Sequence, residues 1–345
     1  MAWKGYQKGW VALLVASALL AGCGANTANT QEAPANQPSS AVESASGGQG
    51  DSAANAGKNE EAAEEQTTRV VTDQFGEVEI PVHPKRVSAL YREDYLVALG
   101  VTPIVQYYNP MWGKQDYLEL EVPLFDVTGS IEAMLVSEPD LIIAAGEVDA
   151  AAYELYSKVA PTYRLPDDVL ADTRTTLKVI ADLLGIPGKA EQVLKDYESR
   201  ISEVKTKVQA SLGDEKLVVL RMNVVDQSIN IFGMNNTFVG QILYKDLGLK
   251  APAYAETMTE GNVVLSQEVI PELDADHIIM LPSNGTWEDE DNAKALKAML
   301  ASPLWKSVPA VKNGHVYQVE RSYWQTGAIT ANFKKMDELL KLLVE

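Results

Sequence analysis

Cysteine and histidine are scarce in this sequence, and their scarcity excludes several kinds of site. The 345 residues contain one cysteine, Cys23, and three histidines. A single thiol can form neither an intrachain disulfide nor a metal site of several thiolates. Proteins that bind bare zinc or manganese ions use three or more imidazole or carboxylate ligands. Here His83 stands in a turn, His277 begins a predicted strand and His315 precedes another, so we expect no direct metal site.

Motifs of catalysis are also missing. The sequence has no nucleophile elbow, no Gly-rich phosphate loop and no His-Glu-x-x-His motif. Ser130 follows Gly129 at a predicted helix start, where a serine caps the helix more often than it acts as a nucleophile. Basic residues are few: the net charge is −19, and from Thr67 onward 26 Lys and Arg stand against 41 Asp and Glu. We therefore expect neither an enzyme nor a nucleic-acid-binding protein.

The amino terminus carries a short apolar run, and no other segment is apolar for long enough to span a membrane. Two lysines precede an uncharged run of about 11 residues from Trp10 to Leu20, whereas a membrane-spanning helix needs about 20. This order is typical of a secretory signal peptide. The Leu-Ala-Gly-Cys sequence at residues 20–23 resembles the lipobox of bacterial lipoproteins. The resemblance implies a signal peptide over residues 1–22 and a lipid on Cys23 that anchors the protein to the outer face of the bacterial cell membrane.

Residues 24–66 contain almost no large apolar side chains. Ala, Asn, Ser, Gly, Gln and Glu dominate the segment, so it cannot bury enough apolar surface to offset the entropy lost on ordering. We therefore expect the lipidated cysteine and a disordered tether over residues 23–66. A coil of about 43 residues has a root-mean-square reach of roughly 35 Å, which keeps a folded body close to the membrane.

Short apolar runs alternate with amphipathic stretches in the rest of the chain, which predicts βα units and largely parallel sheets. After a hairpin over 69–80, strands are predicted at 87–90, 103–105, 140–145, 217–220, 276–280 and 314–319, and helices at 93–99, 131–137 and 329–343. Lys189 to Leu212 contains no Gly or Pro and repeats apolar residues every three or four positions, which predicts one long helix.

These elements predict an α/β fold of two Rossmann-like lobes joined by one backbone helix. The expected limits are 67–185 for the amino-terminal lobe, 186–213 for the connecting helix and 214–345 for the carboxyl-terminal lobe. Ligands of α/β proteins bind beyond the carboxyl ends of the strands. We therefore expect the ligand in a cleft between the lobes.

Several short segments along residues 67–345 occur in a specific order. They are Asp73-Gln74-Phe75-Gly76, Pro84-Lys85-Arg86-Val87, Leu96 to Pro103, Glu138 to Ile143, Val159 to Thr162, Leu243 to Leu249, Pro271 to Asp276 and Val311 to Tyr317. Together they resemble the substrate-binding lipoproteins of iron-siderophore and cobalamin ABC importers, which have two lobes on a helical backbone. The resemblance implies a monomer that closes modestly on a ferric-siderophore and delivers it to an ABC permease. It implies no cofactor, since the iron arrives already chelated.

The same resemblance implies two sites of contact with the permease. In this family two lobe-surface glutamates typically dock on permease arginines, and the matching residues are Glu132 and Glu268. Solvated helix carboxylates are the alternative explanation for both residues.

Aromatic and guanidinium side chains follow the predicted strands and are candidates for ligand contact. Both suit the oxygen-rich, partly aromatic surface of a ferric-siderophore. The first-lobe candidates are Tyr91, Arg92, Tyr107, Tyr108, Trp112 and Arg164. In the second lobe, Arg221 lies in a Leu-Arg-Met context similar to that of a ligand-contacting arginine in hydroxamate- and citrate-type relatives. Tyr323 and Trp324 stand where the family often places a stacking aromatic, and Arg321 and Trp287 are further candidates. Packing within the lobe or a surface salt bridge is the alternative for each.

One loop departs from the pattern of the family. Relatives often carry a basic residue or histidine after the strand at 140–145, whereas this chain has Gly146-Glu147-Val148-Asp149. A trianionic catecholate complex would need several converging cations, so the acidic loop favours a hydroxamate or mixed citrate–hydroxamate siderophore. Haem and cobalamin remain alternatives, because either could sit between tryptophan and tyrosine side chains.

Overall fold

The computed structural model describes residues 67–109, 113–126 and 131–345. Its strands are β1 Thr68–Thr72, β2 Glu77–Pro81, β3 Val87–Ala89, β4 Gln106–Tyr108, β5 Leu124–Asp126, β6 Leu141–Ala144, β7 Thr162–Arg164, β8 Leu217–Asn223, β9 Ser228–Phe232, β10 Asn262–Val264, β11 His277–Pro282 and β12 Val316–Gln318. Its helices are α1 Glu93–Ala98, α2 Ile131–Val136, α3 Ala150–Tyr156, α4 Thr173–Leu183, α5 Pro187–Leu212, α6 Ala253–Thr257, α7 Glu290–Ala301, α8 Pro309–Asn313, α9 Arg321–Trp324 and α10 Ile329–Leu343. The predicted signal peptide, Cys23 and the tether lie outside the described residues. None of the described helices is long and apolar enough to cross a membrane.

The first lobe is built on parallel strands. β3, β6 and β7 form a sheet in the order β3-β6-β7, and β4 pairs with β5, also in parallel. All four residues of β6 are buried, which explains its continuous apolar sequence. The β1–β2 hairpin precedes this sheet, and its turn is closed by Asp73. The Oδ1 atom of Asp73 accepts hydrogen bonds from the backbone N–H groups of Phe75 and Gly76 at 2.7 and 3.0 Å.

The second lobe contains a five-stranded mixed sheet. Its order is β10-β9-β8-β11-β12; β8, β11 and β12 run parallel, whereas β9 and β10 are antiparallel to their neighbours. Strand β11, which lies between β8 and β12, is buried along its whole length. Strands buried on both faces require a cover of helices, so this lobe has the layered α/β architecture expected from the sequence.

The long helix α5 packs beside the core of the molecule. Pro187 occupies its first turn, where a missing backbone N–H costs nothing. Its buried residues, Ala190, Tyr197, Ile201, Val204, Val208 and Leu212, follow the spacing of one helix face. The Tyr197 hydroxyl accepts a hydrogen bond from Asn332 Nδ2 of α10 at 2.9 Å. Helix α5 is therefore fixed to the carboxyl-terminal helix as well as to the sheets.

A buried carboxylate joins the two lobes behind the cleft. Asp94 of α1 accepts hydrogen bonds from the backbone N–H groups of Thr330 and Ala331 at 2.8 and 2.9 Å. It also accepts one from the Tyr117 hydroxyl at 2.7 Å. These N–H groups belong to the first turn of α10, which has no partners for them within the helix. Asp94 thus caps a second-lobe helix from the first lobe.

The predicted fold class is confirmed, but some elements were placed wrongly. The strand expected at 103–105 begins three residues later, at β4, where pairing with β5 starts. Residues 106–108, expected as a loop, therefore form a strand. Arg221 was expected to follow a strand and instead lies within β8, opposite Leu281 of β11. The strands β5, β7, β9 and β10 had no counterpart in the prediction.

Candidate ligand-binding site

A cavity of about 450 Å³ lies between the lobes, beyond the carboxyl ends of their strands. Its first-lobe wall comes from β4 itself and from residues that follow β3, β4 and β6, namely Tyr91, Arg92, Tyr107, Lys114 and Glu147. Its second-lobe wall comes from the ends of β8, β11 and β12 and from nearby loops, namely Arg221, Asn223, Phe238, Ser283, Asn284, Arg321, Ser322 and Gln325. This is the position that the rule for α/β sheets predicts.

A second cavity of about 410 Å³ adjoins the first and shares Tyr91, Arg92 and Phe238 with it. Most of its other polar lining is neutral, from side chains such as Thr173, Asn235 and Gln241. The first cavity is the candidate ligand site, because several cationic and aromatic side chains converge there from both lobes.

Two tyrosines form the aromatic wall of the first lobe. The rings of Tyr91 and Tyr107 meet edge to face with their centroids 5.0 Å apart. Tyr91 has a positive φ of 54°, a conformation that is uncommon for a bulky residue and often found at functional sites. The backbone N–H of Tyr107 donates to Glu93 Oε1 at 2.6 Å. Burial raises the pKa of the Glu93 carboxyl to about 8, so this group beneath the wall holds its proton at neutral pH.

The first-lobe cations of the cavity are paired. Arg92 donates from Nη1 to the carbonyl oxygen of Tyr91 at 2.7 Å and forms an ion pair from Nη2 to Glu147 Oε2 at 3.3 Å. Lys114 forms an ion pair with Asp116 at 3.3 Å. The first-lobe wall therefore carries little net charge.

The second-lobe wall carries two arginines of a different kind. Arg221 lies over the ring of Phe232 at 5.5 Å, and its Nη1 is 3.4 Å from Gln325 Oε1. The Nε atoms of Arg221 and Arg321 and the Nε2 atom of Gln325 are buried without a hydrogen-bond partner among the described residues. Burial, and next the positive charge of Arg321, lower the pKa of Arg221. Burial also lowers the pKa of Arg321. Buried donors of this kind require an acceptor-rich partner.

Several predicted ligand contacts point elsewhere. Tyr108 does not line the cavity, because successive residues of strand β4 face opposite sides and Tyr107 takes the cavity side. Arg164 is buried within its own lobe, where it pairs with Asp167 at 2.8 Å and donates to the carbonyl oxygen of Leu165 at 3.2 Å. Neither side chain is placed to meet a ligand in this cavity.

Of the two stacking aromatics expected near residue 324, Trp324 is turned into the core and Tyr323 is half-buried beside it. Trp324 is 0% exposed, and its indole N–H donates to Glu338 Oε2 at 2.6 Å. The Tyr323 hydroxyl donates to the same oxygen at 2.8 Å. Trp287 donates to the carbonyl oxygen of Val319 at 3.1 Å. Trp324 has no exposed surface in this structure, so its side chain is not placed to stack on a ligand here.

The structure also locates the remaining candidates. Tyr91, Arg92, Tyr107, Arg221 and Arg321 come together in the cavity. Trp112 lies outside the described residues. Sequence reasoning missed Lys114, Asn223, Phe238, Ser283, Asn284, Ser322 and Gln325. Asn223, which ends β8, and the loop after β11 could have been found from their positions at carboxyl strand ends, whereas the other residues carry no such local signal.

The predicted docking glutamates are on the surface. Glu132 is exposed on α2, and Glu268 is exposed in the turn that follows β10. They belong to different lobes. No group of three or more His, Cys, Asp or Glu side chains in the described part of the chain could hold a metal ion.

Comparison with known proteins identifies the family. The model of the periplasmic binding protein family matches residues 94–323. The chain belongs to the periplasmic binding protein family. Members of this family are the binding components of transporters and are not enzymes, and the same holds for this chain. The chain is 32% identical to the iron(3+)-hydroxamate-binding protein FhuD of Bacillus subtilis over 71% of this chain and 76% of that protein. It is 27% identical to the iron(3+)-hydroxamate-binding protein YxeB of the same organism, over 76% and 82%.

A solved structure agrees with this assignment. The crystal structure of a FhuD-fold periplasmic binding protein, a component of a Fep/Fec-like ferrichrome ABC transporter from Bacillus subtilis, superposes with a TM-score of 0.67. The two proteins are 26% identical, and the match covers 80% of this chain and all of the other. Other relatives of this binding protein are substrate-binding lipoproteins.

Proposed function

We propose that this binding protein captures a ferric siderophore of the hydroxamate or mixed citrate–hydroxamate type in the cavity between its lobes. Its family and its relatives are those of iron-siderophore ABC importers. The chain then serves as the substrate-binding protein of such an importer and hands the loaded complex to the membrane permease.

Two arginines and a glutamine of the second-lobe wall carry the proposal. Arg221, Arg321 and Gln325 line one cavity, and each has one buried nitrogen without a hydrogen-bond partner among the described residues. Leaving such a donor unpaired costs free energy of about 1–3 kcal/mol. A ferric siderophore presents a surface of hydroxamate and carboxylate oxygens, all of them acceptors. Guanidinium groups form their strongest hydrogen bonds to charged oxygens. The arginine pair therefore supports a ligand with an anionic, oxygen-rich face, which a mixed citrate–hydroxamate complex has.

The volume and the aromatic wall support the same ligand class. A cavity of about 450 Å³ is within the range of small-molecule sites, roughly 300–1,000 Å³. Tyr91 is half-buried, and Tyr107, which is 3% exposed, packs edge to face against it. The exposed part of this aromatic wall can cover the apolar backbone of a siderophore while the arginines hold its polar face.

Anchoring and delivery complete the proposal. We place the lipid on Cys23, so that the tether holds the receptor at the outer face of the membrane within reach of the permease. The exposed glutamates of the two lobes, Glu132 and Glu268, are proposed to dock on permease arginines. Each lobe then contributes one anionic contact, which would align the cavity with the transport path.

A fluorescence titration tests the ligand assignment. Ferric hydroxamates, ferric citrate–hydroxamates, ferric catecholates, haem and cobalamin are titrated separately into the purified protein, and quenching of tryptophan emission gives the affinity. We expect a submicromolar Kd for at least one of the first two classes, that is, a binding free energy beyond about −8 kcal/mol. Quenching by haem or cobalamin alone would overturn the proposal.

Variants locate the site. Arg221→Gln removes a cation and a donor set from the cavity, so the Kd should rise by about tenfold to a hundredfold. Lys297→Ala is the control, since Lys297 is an exposed cation of the same lobe on α7. Equal affinity of Arg221→Gln and the control would show that the ligand binds elsewhere.

A further inference from the structure

Glu147 is the one carboxylate among the described residues that line the ligand cavity. Its side chain is 22% exposed, and its Oε2 lies 3.3 Å from Arg92 Nη2. The residue as a whole is exposed, so solvent and salt screen its charge, and its effect is largest on groups placed directly against it. Its position in a cavity otherwise lined by cationic, aromatic and neutral polar groups therefore has consequences for the ligand.

The charges of the two walls are unequal. On the first lobe, Arg92 is paired with Glu147 and Lys114 is paired with Asp116. On the second lobe, Arg221 and Arg321 have no carboxylate within ion-pair distance in the described part of the chain, and the Nε atom of each lacks a partner. Positive charge available to a ligand is thus concentrated on the second lobe.

Glu147 also affects the aromatic wall. Burial and, next, the negative charge of Glu147 raise the pKa of Tyr107 to about 12. The field of this carboxylate therefore reaches a ring that lines the cavity. Any anionic group placed against the first-lobe wall would meet the same repulsion, and it would have to compete with Glu147 for Arg92.

We infer that Glu147 is a charge-selecting residue. By holding Arg92 and repelling excess negative charge, it makes the cavity accept neutral or weakly anionic ferric complexes and reject triply anionic ones. It also orients the accepted complex with its most anionic face toward Arg221 and Arg321. This inference rests on the proposed function, because it assumes that the cavity binds a ferric siderophore.

The test compares ligands of different charge in Glu147→Gln, which keeps the shape of the side chain and one acceptor oxygen for Arg92 but removes the negative charge. A neutral ferric trihydroxamate and a triply anionic ferric tris-catecholate are titrated into the full-length protein. The variant should bind the tris-catecholate about tenfold or more tightly than the unmodified protein does, while the Kd of the neutral complex should change by less than about threefold. Glu154→Gln, an exposed glutamate on α3 of the same lobe, should change neither value.

Salt separates a charge effect from a structural one. The gain for the tris-catecholate should shrink as the salt concentration rises from 20 to about 500 mM, because screening acts on electrostatic terms alone. An equal shift of both ligands, or no shift of the tris-catecholate, overturns the inference while leaving the proposed function intact. If the unmodified protein binds no ferric complex of any charge, both the inference and the proposed function fail.

Discussion

Replacing Glu93 with glutamine should change how the stability of the protein depends on pH. Glu93 is 1% exposed beneath the tyrosine wall, with Oε1 bonded to the backbone N–H of Tyr107 and Oε2 without a hydrogen-bond partner among the described residues. Glutamine keeps an acceptor for Tyr107 but cannot ionise. The substitution therefore removes one titration and little else.

The size of the effect follows from the pKa. Burial raises the pKa of Glu93 from 4.5 to about 8, so the folded protein holds a proton that the unfolded chain releases near pH 4.5. The folded state binds more protons between these values, and its stability must fall as pH rises from 4.5 to about 8. At 1.36 kcal/mol per pKa unit, the full loss is on the order of 5 kcal/mol. Between pH 5 and 8, the unmodified protein should lose about 4 kcal/mol more than Glu93→Gln.

Urea unfolding of the ligand-free protein, followed by circular dichroism at pH 5, 6.5 and 8, measures this difference. The two proteins should have similar unfolding free energies at pH 5, and the variant should be the more stable at pH 8. Glu191→Gln, an exposed position on α5, should follow the unmodified protein throughout. Parallel curves for Glu93→Gln and the unmodified protein would show that Glu93 is not held protonated by burial.

Two further predictions concern the core and the surface. Trp324→Phe keeps a buried ring but loses the hydrogen bond to Glu338. Urea unfolding should therefore show a loss of about 1–2 kcal/mol in unfolding free energy, while the Kd for the siderophore stays unchanged. A large loss of affinity would show that Trp324 contacts the ligand. Glu132→Ala combined with Glu268→Ala should leave the Kd unchanged and slow siderophore uptake by cells, and normal uptake would exclude these glutamates as docking residues.

The sequence was sufficient for the elements whose pattern is local. Helices α5 and α10 bury residues at three- and four-residue spacing, and strand β6 is one apolar run. The spacing of the apolar residues is therefore enough to predict the type of each element. The placement of β4 failed, because Gln106 to Tyr108 carry no strand pattern and are held as a strand by pairing with β5. Short strands of this kind depend on partners more than on propensity.

The candidate site was only partly predictable for a related reason. Arginines and tyrosines near strand ends were found, since their position in the chain fixes the edge of the sheet on which they lie. The burial of Trp324 could not be predicted from the sequence, because an aromatic residue after a strand is equally compatible with a cleft and with a core. Only packing against α10, where Glu338 accepts its N–H, decides between the two.

Local residue patterns were enough to predict the α/β class and the long helix α5. Composition gives the acidic charge, and short segments in a fixed order along the chain give the similarity to iron-siderophore binding proteins. Tertiary structure decided the electrostatics of the cavity. Arg92 and Glu147 are 55 positions apart, and Arg221 and Gln325 are 104 apart. Contacts over such separations depend on how the lobes fold and meet, and no local pattern encodes which charges end up paired.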